Sequence, residues 1–591
     1  MAVTMLDDFF RGPRIAYFSM EIALRADIPT YAGGLGILAG DTMRSAADLD
    51  LPMVAVSLVS RAGYFRQELD ANGRQSEVPA VWEPRRFASL LHAKIAVPIE
   101  DRDVWVGSWL YILEGQWGGH QPIILLDTDL GENGAQDREI THYLYGGDDR
   151  YRLKQEAVLG IGGVRILSAL GFHIRQYHLN EGHSALLTLE VLRRHAYPPE
   201  DVRPGEPLYD IPRVRARCNF TTHTPVDAGH DQFSYELVSD VLRRIIGTVS
   251  PGLPSVGPSD SQSEEHPVDL DTVKRLAGAD ALNMTRLALN LSDYVNGVAN
   301  RHAALSQTMF PGYRVHAITN GVHPFTWTCE SFRSLYDRYL PAWCHEPEQL
   351  NRADCCIPDA ELWQAHVQAK GKLIGMVKEL TSVSLDPEVP ILGFARRMTA
   401  YKRPDLIFAD LERLKEIARR FPFQIVMGGK AHPRDLEGKA LIERLHAHGR
   451  ALADSIPVVF LPDYDLALAQ LLVAGADLWL NTPLAPYEAS GTSGMKAAFN
   501  GVPSLSVLDG WWIEGCIEGV TGWAIGDKER DARSAAAQVY DMLERVVLPL
   551  FRLQENGRRA WLHVMKGAIS KNASFFNSHR MMRRYVTEAY L

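Results

Sequence analysis

At 591 residues with a net charge of −10, the chain has room for two or more large cores, and its acidity argues against electrostatic binding of nucleic acid or an anionic membrane. Apolar residues make up 46% and charged residues 23%, an ordinary globular balance, and no stretch reaches the roughly 18 apolar residues of a membrane span. The six cysteines (Cys218, Cys329, Cys344, Cys355, Cys356 and Cys516) form no C-x-x-C pair, so neither a disulfide framework nor a structural zinc is expected. The first eight residues contain no basic region followed by an apolar run, so no signal peptide is expected and a reducing cytoplasm fits best.

In chain order, Tyr31-Ala-Gly-Gly-Leu-Gly-Ile-Leu-Ala-Gly40 comes first as a glycine loop opening a helix. Gly33, Gly34 and Gly36 permit close approach of a ligand to the backbone. The pattern is not G-x-G-x-x-G, so a dinucleotide site is not expected. Met53 to Val59 and Pro122 to Leu126 are short apolar runs of the kind that form buried parallel strands. His178-Leu-Asn-Glu-Gly-His183 and Thr221-Thr-His-Thr224 follow strand-like runs and offer His183, His223, Asn180 and Glu181 to a hydroxyl-rich ligand. Each histidine is equally readable as a core residue satisfied by backbone. No metal is expected, because neither H-E-x-x-H nor H-x-H spacing occurs there.

Residues 249–270, with Pro251, Pro254, Pro258 and Pro267, read as a surface excursion. Thr319-Asn-Gly-Val-His323 is another polar strand end, with Asn320 the candidate contact. The strand pattern lapses over 325–385, where Asp359 to Glu379 reads as a helix and a domain boundary is expected. Alternation resumes with strands at Pro390 to Ala395, Phe423 to Met427 and Ile456 to Leu461, and helices at Asp405 to Arg419 and Arg434 to Leu452. Phe394 to Arg403 places Arg396, Arg397, Lys402 and Arg403 at a strand end, where several can reach one dianion. Gly428-Gly-Lys430 repeats the idea more weakly. Tyr487-Glu-Ala-Ser-Gly-Thr-Ser-Gly-Met-Lys496 then joins an acid, a run of small residues and a lysine. A loop of this kind exposes N–H groups to an anion, and the lysine can face the same anion or form an imine with an aldehyde. Trp327, Trp511 and Trp512 are either core aromatics or stacking faces for sugar rings.

The class is therefore α/β. The expected organisation is an N-terminal α/β domain (1–330), a helical connection (331–385), a second Rossmann-like domain (386–555) and C-terminal helices (556–591) crossing back to the first. Ligands of open α/β sheets bind beyond the carboxyl ends of strands, so the glycine loops and basic clusters should meet in a cleft. These residues support a sugar-phosphate or glycosyl-transfer enzyme and leave the donor open.

From Tyr17-Phe-Ser-Met-Glu21 to Trp523 the chain resembles the α-glucan (glycogen/maltodextrin) phosphorylases, most closely their compact prokaryotic branch. The resemblance is carried by Gly33-Gly-Leu-Gly36, Arg152-Leu-Lys-Gln-Glu156, His178 to His183, Thr222-His-Thr224, Thr319-Asn-Gly321, Arg397 with Tyr401-Lys-Arg403, Gly428-Gly-Lys430 and, most specifically, Glu488 to Lys496. It implies a GT-B type fold, with two Rossmann-like domains whose parallel sheets face an interdomain cleft, and pyridoxal 5'-phosphate as cofactor. It implies α-glucan or maltodextrin and inorganic phosphate as substrates, no nucleic-acid or membrane partner, and room for a homo-oligomer.

By the same resemblance Lys496 anchors the cofactor as an imine, with Thr492, Ser493, Gly494 and Tyr464 around it. Arg397 and Lys402, with the Gly34–Leu35 backbone, hold the substrate phosphate. Glu488, Ser490, Gly491, His223 and Asn320 bind the glucosyl unit, and His183 is a further cleft candidate. Arg397, Lys402, Lys496 and His223 are the expected catalytic set. The implied chemistry is phosphorolysis with retention, in which the phosphate groups handle the proton.

Four positions depart from the longer family members. Asp465 stands where they carry an arginine, Arg396 where they carry a lysine, and Ser493-Gly494 where they carry Gly-Asn. The alternatives are a nucleotide-sugar glycosyltransferase of the same fold, in which a lysine stands at the Tyr31 place, and a non-catalytic glucan-binding homologue.

Overall fold

The computed structural model describes residues 7–198, 201–203, 206–226, 229–247, 267–526, 532–552 and 556–591. Strand Arg14–Ser19 lies inside a ten-stranded sheet, between Met53–Leu58 and Ile174–Asn180, parallel to both. The parallel run continues through Cys218–Thr221, Tyr294–Gly297 and His316–Ala317 on one flank and His120–Asp127 on the other. Alternate residues enter opposite cores. Ala16 and Phe18 join Val54 and Val56 on one face, and Ile15 and Tyr17 join Met43 and Met53 on the other. A sheet covered on both faces favours apolar residues at successive positions, which is why Met53–Leu58 and Pro122 to Leu126 read as near-continuous apolar runs.

The second sheet has six strands, all parallel, in the order Val458–Leu461, Gln424–Gly428, Ile391–Ala395, Leu478–Asn481, Ser504–Val507 and Gly522–Ile525. One core joins it to helices Glu330–Tyr339 and Asp359–Thr381, which fill the stretch where the strand pattern lapses.

Element ends differ from expectation where a side chain caps a helix. The helix expected over Asp405 to Arg419 is a short 3-10 turn, Leu406–Phe408, followed by a helix over Leu411–Arg420. Asp410 sets that start by accepting the Arg413 N–H. Asp435 likewise starts the next helix at Leu436, by accepting the Gly438 N–H.

Two hairpins add to the expected strands. Arg102–Glu114 runs antiparallel to His120–Asp127. Arg66–Leu69 pairs with Gln75–Val78 across a turn holding Asn72-Gly73, a dipeptide that favours tight hairpins. This second hairpin reaches from the first half of the molecule to the other. Gln67 donates to the Gly429 carbonyl at 3.0 Å, and Gln75 donates to the Ala431 carbonyl at 2.9 Å and accepts its N–H at 3.0 Å.

The terminal helices return to the first half. Met581, Met582, Tyr585 and Tyr590 belong to its second core, and Ser578 Oγ lies 2.5 Å from Ser45 Oγ. Of the expected 249–270 excursion, residues 249–266 lie outside the described residues, and Val268–Asp269 is a short strand leading into helix Leu270–Ala277. Among the described residues no helix is long and apolar enough to cross a membrane.

Candidate active site

The glycine loop is held by one carboxylate. Glu21 accepts the N–H groups of Ala32 at 2.6 Å and Gly33 at 3.1 Å, and the Tyr145 hydroxyl at 3.0 Å. A Cβ on Gly36 would stand 2.6 Å from Glu21 Oε2, so glycine is required there. Helix Gly34–Asp48 begins directly after this turn. As first-turn groups, the Gly34 and Leu35 N–H have no carbonyl a turn earlier to bond. Across from them stands the other half of the molecule: a Cβ on Gly33 would lie 3.3 Å from Arg397 Nη2.

The four basic residues of the Arg396–Arg403 segment divide three ways. Arg397 is exposed, and no hydrogen bond or ion pair with another described residue holds its guanidinium. Lys402 Nζ donates to both oxygens of Glu488, at 2.8 and 2.7 Å, and Arg396 Nη2 reaches Glu488 Oε2 at 2.6 Å. Arg403 donates instead to the carbonyls of Thr482 and Pro483, so it braces the loop. Burial pushes the Glu488 carboxyl up, and Arg396 and Lys402 more than reverse this, leaving it below the ordinary value of 4.5. Lys430 is committed as well, to Asp463 at 2.6 Å and the Phe65 carbonyl at 3.1 Å.

Lys496 lies in a short helix, Ser493–Ala498, after the small-residue turn. Its Nζ stands 4.0 Å from the centroid of the Trp327 ring. Burial lowers its pKa to about 8, with Asp41 opposing and Arg396 adding to the shift. Gly491 has φ of 78°, which the turn requires and a side chain resists. Ser490 Oγ is buried with no partner among the described residues. Thr492 makes no side-chain cap bond to the helix it precedes.

Ser493 and Gly494 have packing roles. Ser493 Oγ accepts the Trp479 indole N–H at 3.0 Å, and a Cβ on Gly494 would lie 2.7 Å from the Trp511 ring. Tyr464 packs its ring over Gly428, where a Cβ would lie 3.1 Å from it. Asp465 caps the helix Leu466–Gly475 by accepting the Leu468 N–H, a local reason for an acid at that position. Tyr31 accepts the Leu466 N–H through its hydroxyl at 3.0 Å, tying the two halves together.

The facing wall carries neutral histidines. His223 Nε2 lies 2.7 Å from Asn180 Oδ1, an acceptor, so Nε2 carries the proton and Nδ1 is a free lone pair. His183 has the opposite tautomer. Arg152 Nη2, which can only donate, lies 3.1 Å from His183 Nε2, which places the proton on Nδ1. That Nδ1 is buried with no partner among the described residues. Burial lowers His183 to about 4 and His223 to about 3. Arg152 also meets Asp231 at 3.1 Å and Glu156 at 3.6 Å. Asn320 Oδ1 is buried without a partner among the described residues, while its carbonyl accepts from Arg580 at 3.0 Å.

The structure thus gathers Arg396, Lys402, Glu488 and Lys496 on one wall, and His183 and His223 on the other, with Arg397 and the glycine loop meeting between them. The role of Arg396 as a partner of Glu488 and the part played by Asp41 were not legible in the sequence, nor were the contacts of Arg152, Glu156 and Asp231. Trp327, Trp511 and Trp512 are all buried. Asp48, His323 and His579 also come together, at the far end of the glycine-loop helix. There His323 Nδ1 accepts the Thr326 N–H, so its Nε2 donates to Asp48 at 2.8 Å as an ordinary hydrogen-bonded pair. A cavity of 330 Å³ beside them, lined by Arg44, Asp48, Tyr111, Gln116 and His323 among others, contains none of the candidate site residues.

A mixed ten-stranded sheet and an all-parallel six-stranded sheet, with the glycine loop of one half against Arg397 of the other, define a two-part α/β protein. The carbohydrate phosphorylase family model matches residues 173–527. The chain is 38% identical to the maltodextrin phosphorylase of Thermococcus litoralis, over 98% of this chain and 70% of that protein. It is 34% identical to the glycogen phosphorylase of Aquifex aeolicus, over 99% of this chain and 87% of the relative. It is also 34% identical to the glycogen phosphorylase of Mycobacterium tuberculosis, over 98% and 70%. The chain belongs to the carbohydrate phosphorylase family.

Proposed function

We propose that the chain catalyses phosphorolysis of α-1,4-glucans such as maltodextrin or glycogen, releasing α-D-glucose 1-phosphate with retention, with pyridoxal 5'-phosphate bound at Lys496. The observation that carries this reading is a set of buried polar atoms with no partner among the described residues: Arg396 Nη1, Ser490 Oγ, Asn320 Oδ1 and His183 Nδ1. Burying such atoms unpaired costs about 1–3 kcal/mol each, so their gathering around one cleft favours a polar ligand there.

The residues fit the cofactor. Lys496 offers a buried amine of lowered pKa on an aromatic face, and the turn at Ser490 to Thr492 adds the Ser490 and Thr492 hydroxyls and the Arg396 guanidinium beside it. Tyr464, Ser493 and Gly494 shape the surrounding wall. When bound, pyridoxal phosphate supplies an anchored phosphate group that can exchange a proton with substrate phosphate.

The chain's own part is electrostatic. Arg397, having no carboxylate partner among the described residues, and the Gly34–Leu35 N–H groups hold orthophosphate over the glycine loop. That phosphate gives its proton to the glycosidic oxygen, the C1–O bond breaks, and a phosphate oxygen bonds C1 on the same face. Lys402 and Arg396 keep Glu488 ionised, so that it can accept hydrogen bonds from glucose hydroxyls. Ser490, Gly491, Asn320, His223 and His183 supply complementary contacts: His183 Nδ1–H donates, while His223 Nδ1 accepts. This arrangement differs from a glycoside hydrolase, which needs a pair of catalytic carboxylates at the bond. Tyr31, with its hydroxyl spent on Leu466, puts no cation where a nucleotide-sugar enzyme has its lysine.

The test is spectroscopic. Protein produced with the cofactor available should carry a pyridoxal phosphate absorbance band, and Lys496→Ala should lose both the band and glucose 1-phosphate release. Well-folded protein that takes up no cofactor would sink the reading.

A further inference from the structure

Asp41 lies two turns into the glycine-loop helix, 1% exposed, and the chemistry above does not use it. Its Oδ2 accepts the indole N–H of Trp327 at 2.7 Å and the backbone N–H of His323 at 3.2 Å. Its Oδ1 has no hydrogen-bond donor among the described residues. Arg44 Nη1 stands 3.5 Å from it, but that guanidinium donates to the carbonyls of Ala23 at 3.0 Å and Leu24 at 2.6 Å. The Trp327 ring that Asp41 holds is the ring under the Lys496 amine. One helix therefore presents its first turn to Arg397 and, two turns later, fixes the platform of the lysine.

We propose that Asp41 is a positioning residue for Lys496: it locks Trp327 as the amine's aromatic platform and supplies the buried negative charge that its ammonium form needs. The proposal rests on the reading of Lys496 as the cofactor lysine. Two charged groups face that amine with opposite effect, Asp41 and Arg396. Burial and Arg396 favour the neutral amine, while Asp41 and the ring face favour the cation. The balance matters because only the neutral amine adds to an aldehyde carbon. The C=N bond then forms, and both amine protons leave with the carbonyl oxygen as water. Asp41 thus sets the pH range in which the lysine takes up its cofactor.

The experiment uses the full chain freed of cofactor. Competitive acetylation with acetic anhydride across neutral to alkaline pH, read by mass spectrometry on the Lys496 peptide, gives the midpoint of that amine alone. The wild type should titrate at about 8. Asp41→Asn keeps an acceptor for the indole and removes the charge, so its midpoint should fall by about half a unit or more. Covalent uptake of pyridoxal phosphate at pH 7, followed by absorbance, should then be about threefold faster. Asp41→Thr also removes the charge while keeping a hydroxyl acceptor for the indole, and should lower the midpoint likewise. It carries the test if thermal melting shows that Asp41→Asn does not fold. Midpoints unchanged from wild type would overturn the proposal. A shifted midpoint with no uptake of pyridoxal phosphate would uphold the role of Asp41 toward the amine and refute the cofactor reading.

Discussion

Two buried glutamates, one in each half of the molecule, are shifted in opposite directions. Glu488 sits between Arg396 and Lys402 and is held ionised, below its ordinary range. Glu156, completely buried, is pushed well above its ordinary value by burial first and Asp231 second. The difference lies in the neighbours. Glu488 has two cations within hydrogen-bonding distance, whereas the one near Glu156, Arg152, is 3.6 Å away and also serves Asp231. The first environment therefore favours a charged carboxylate, and the second opposes one.

Substitutions that remove the charge from one wall should break this contrast most severely. Glu488→Gln leaves two buried cations unpaired and should cost about 3 kcal/mol or more at neutral pH. Because the folded pKa of Glu488 is depressed, its contribution is present above the unfolded value of 4.5 and lost as pH falls through the lower folded value. The gap between wild type and Glu488→Gln in urea melts should accordingly narrow in acid. A gap that stays constant down to pH 3 would show that the fold does not depress the pKa of Glu488.

Arg397→Ala should raise the KM for phosphate by about 10- to 100-fold, the loss of a charged hydrogen-bonding partner, with little change in the KM for glucan. Unchanged phosphate kinetics would remove Arg397 from the anion site. His223→Ala is the converse test on the other wall: about a 3- to 10-fold rise in glucan KM, with the phosphate KM kept. Since His183 and His223 titrate at about 4 and 3, neither should produce an inflection in rate between pH 5 and 8. An inflection there that vanishes in His223→Ala would mean that this histidine gains charge in the working range.

The smallest expected effect concerns how the walls are held together. Gln75→Ala removes buried hydrogen bonds to Ala431 and should cost about 1–2 kcal/mol without changing either KM. A change in both KM values would mean that the hairpin also sets the cleft's geometry.

Much of this was legible in the sequence where a residue's role follows from its local pattern. Apolar runs such as Met53 to Val59 gave the buried strands, and Gly33 to Gly36 gave the loop. The Arg396 to Arg403 cluster placed basic charge at the right strand end. It did not say that Arg396 and Lys402 would converge on Glu488 while Arg397 found no partner among the described residues and Arg403 turned to the Thr482 carbonyl, because that division depends on a segment 79 to 86 residues further on. Asp41 was hidden for a similar reason. An acid on the inner face of a helix has no sequence signature, and its meaning comes from Trp327, almost 290 residues away. The hairpin at Arg66 to Val78 did have a signal, Asn72-Gly73, but its contacts with the second half did not.

The account is tested most directly by incubating the cofactor-loaded protein with maltodextrin and inorganic phosphate and measuring α-D-glucose 1-phosphate. It predicts release that depends on both substrates and disappears without phosphate. Loaded, folded protein that forms no glucose 1-phosphate from maltodextrin, glycogen or starch would contradict it.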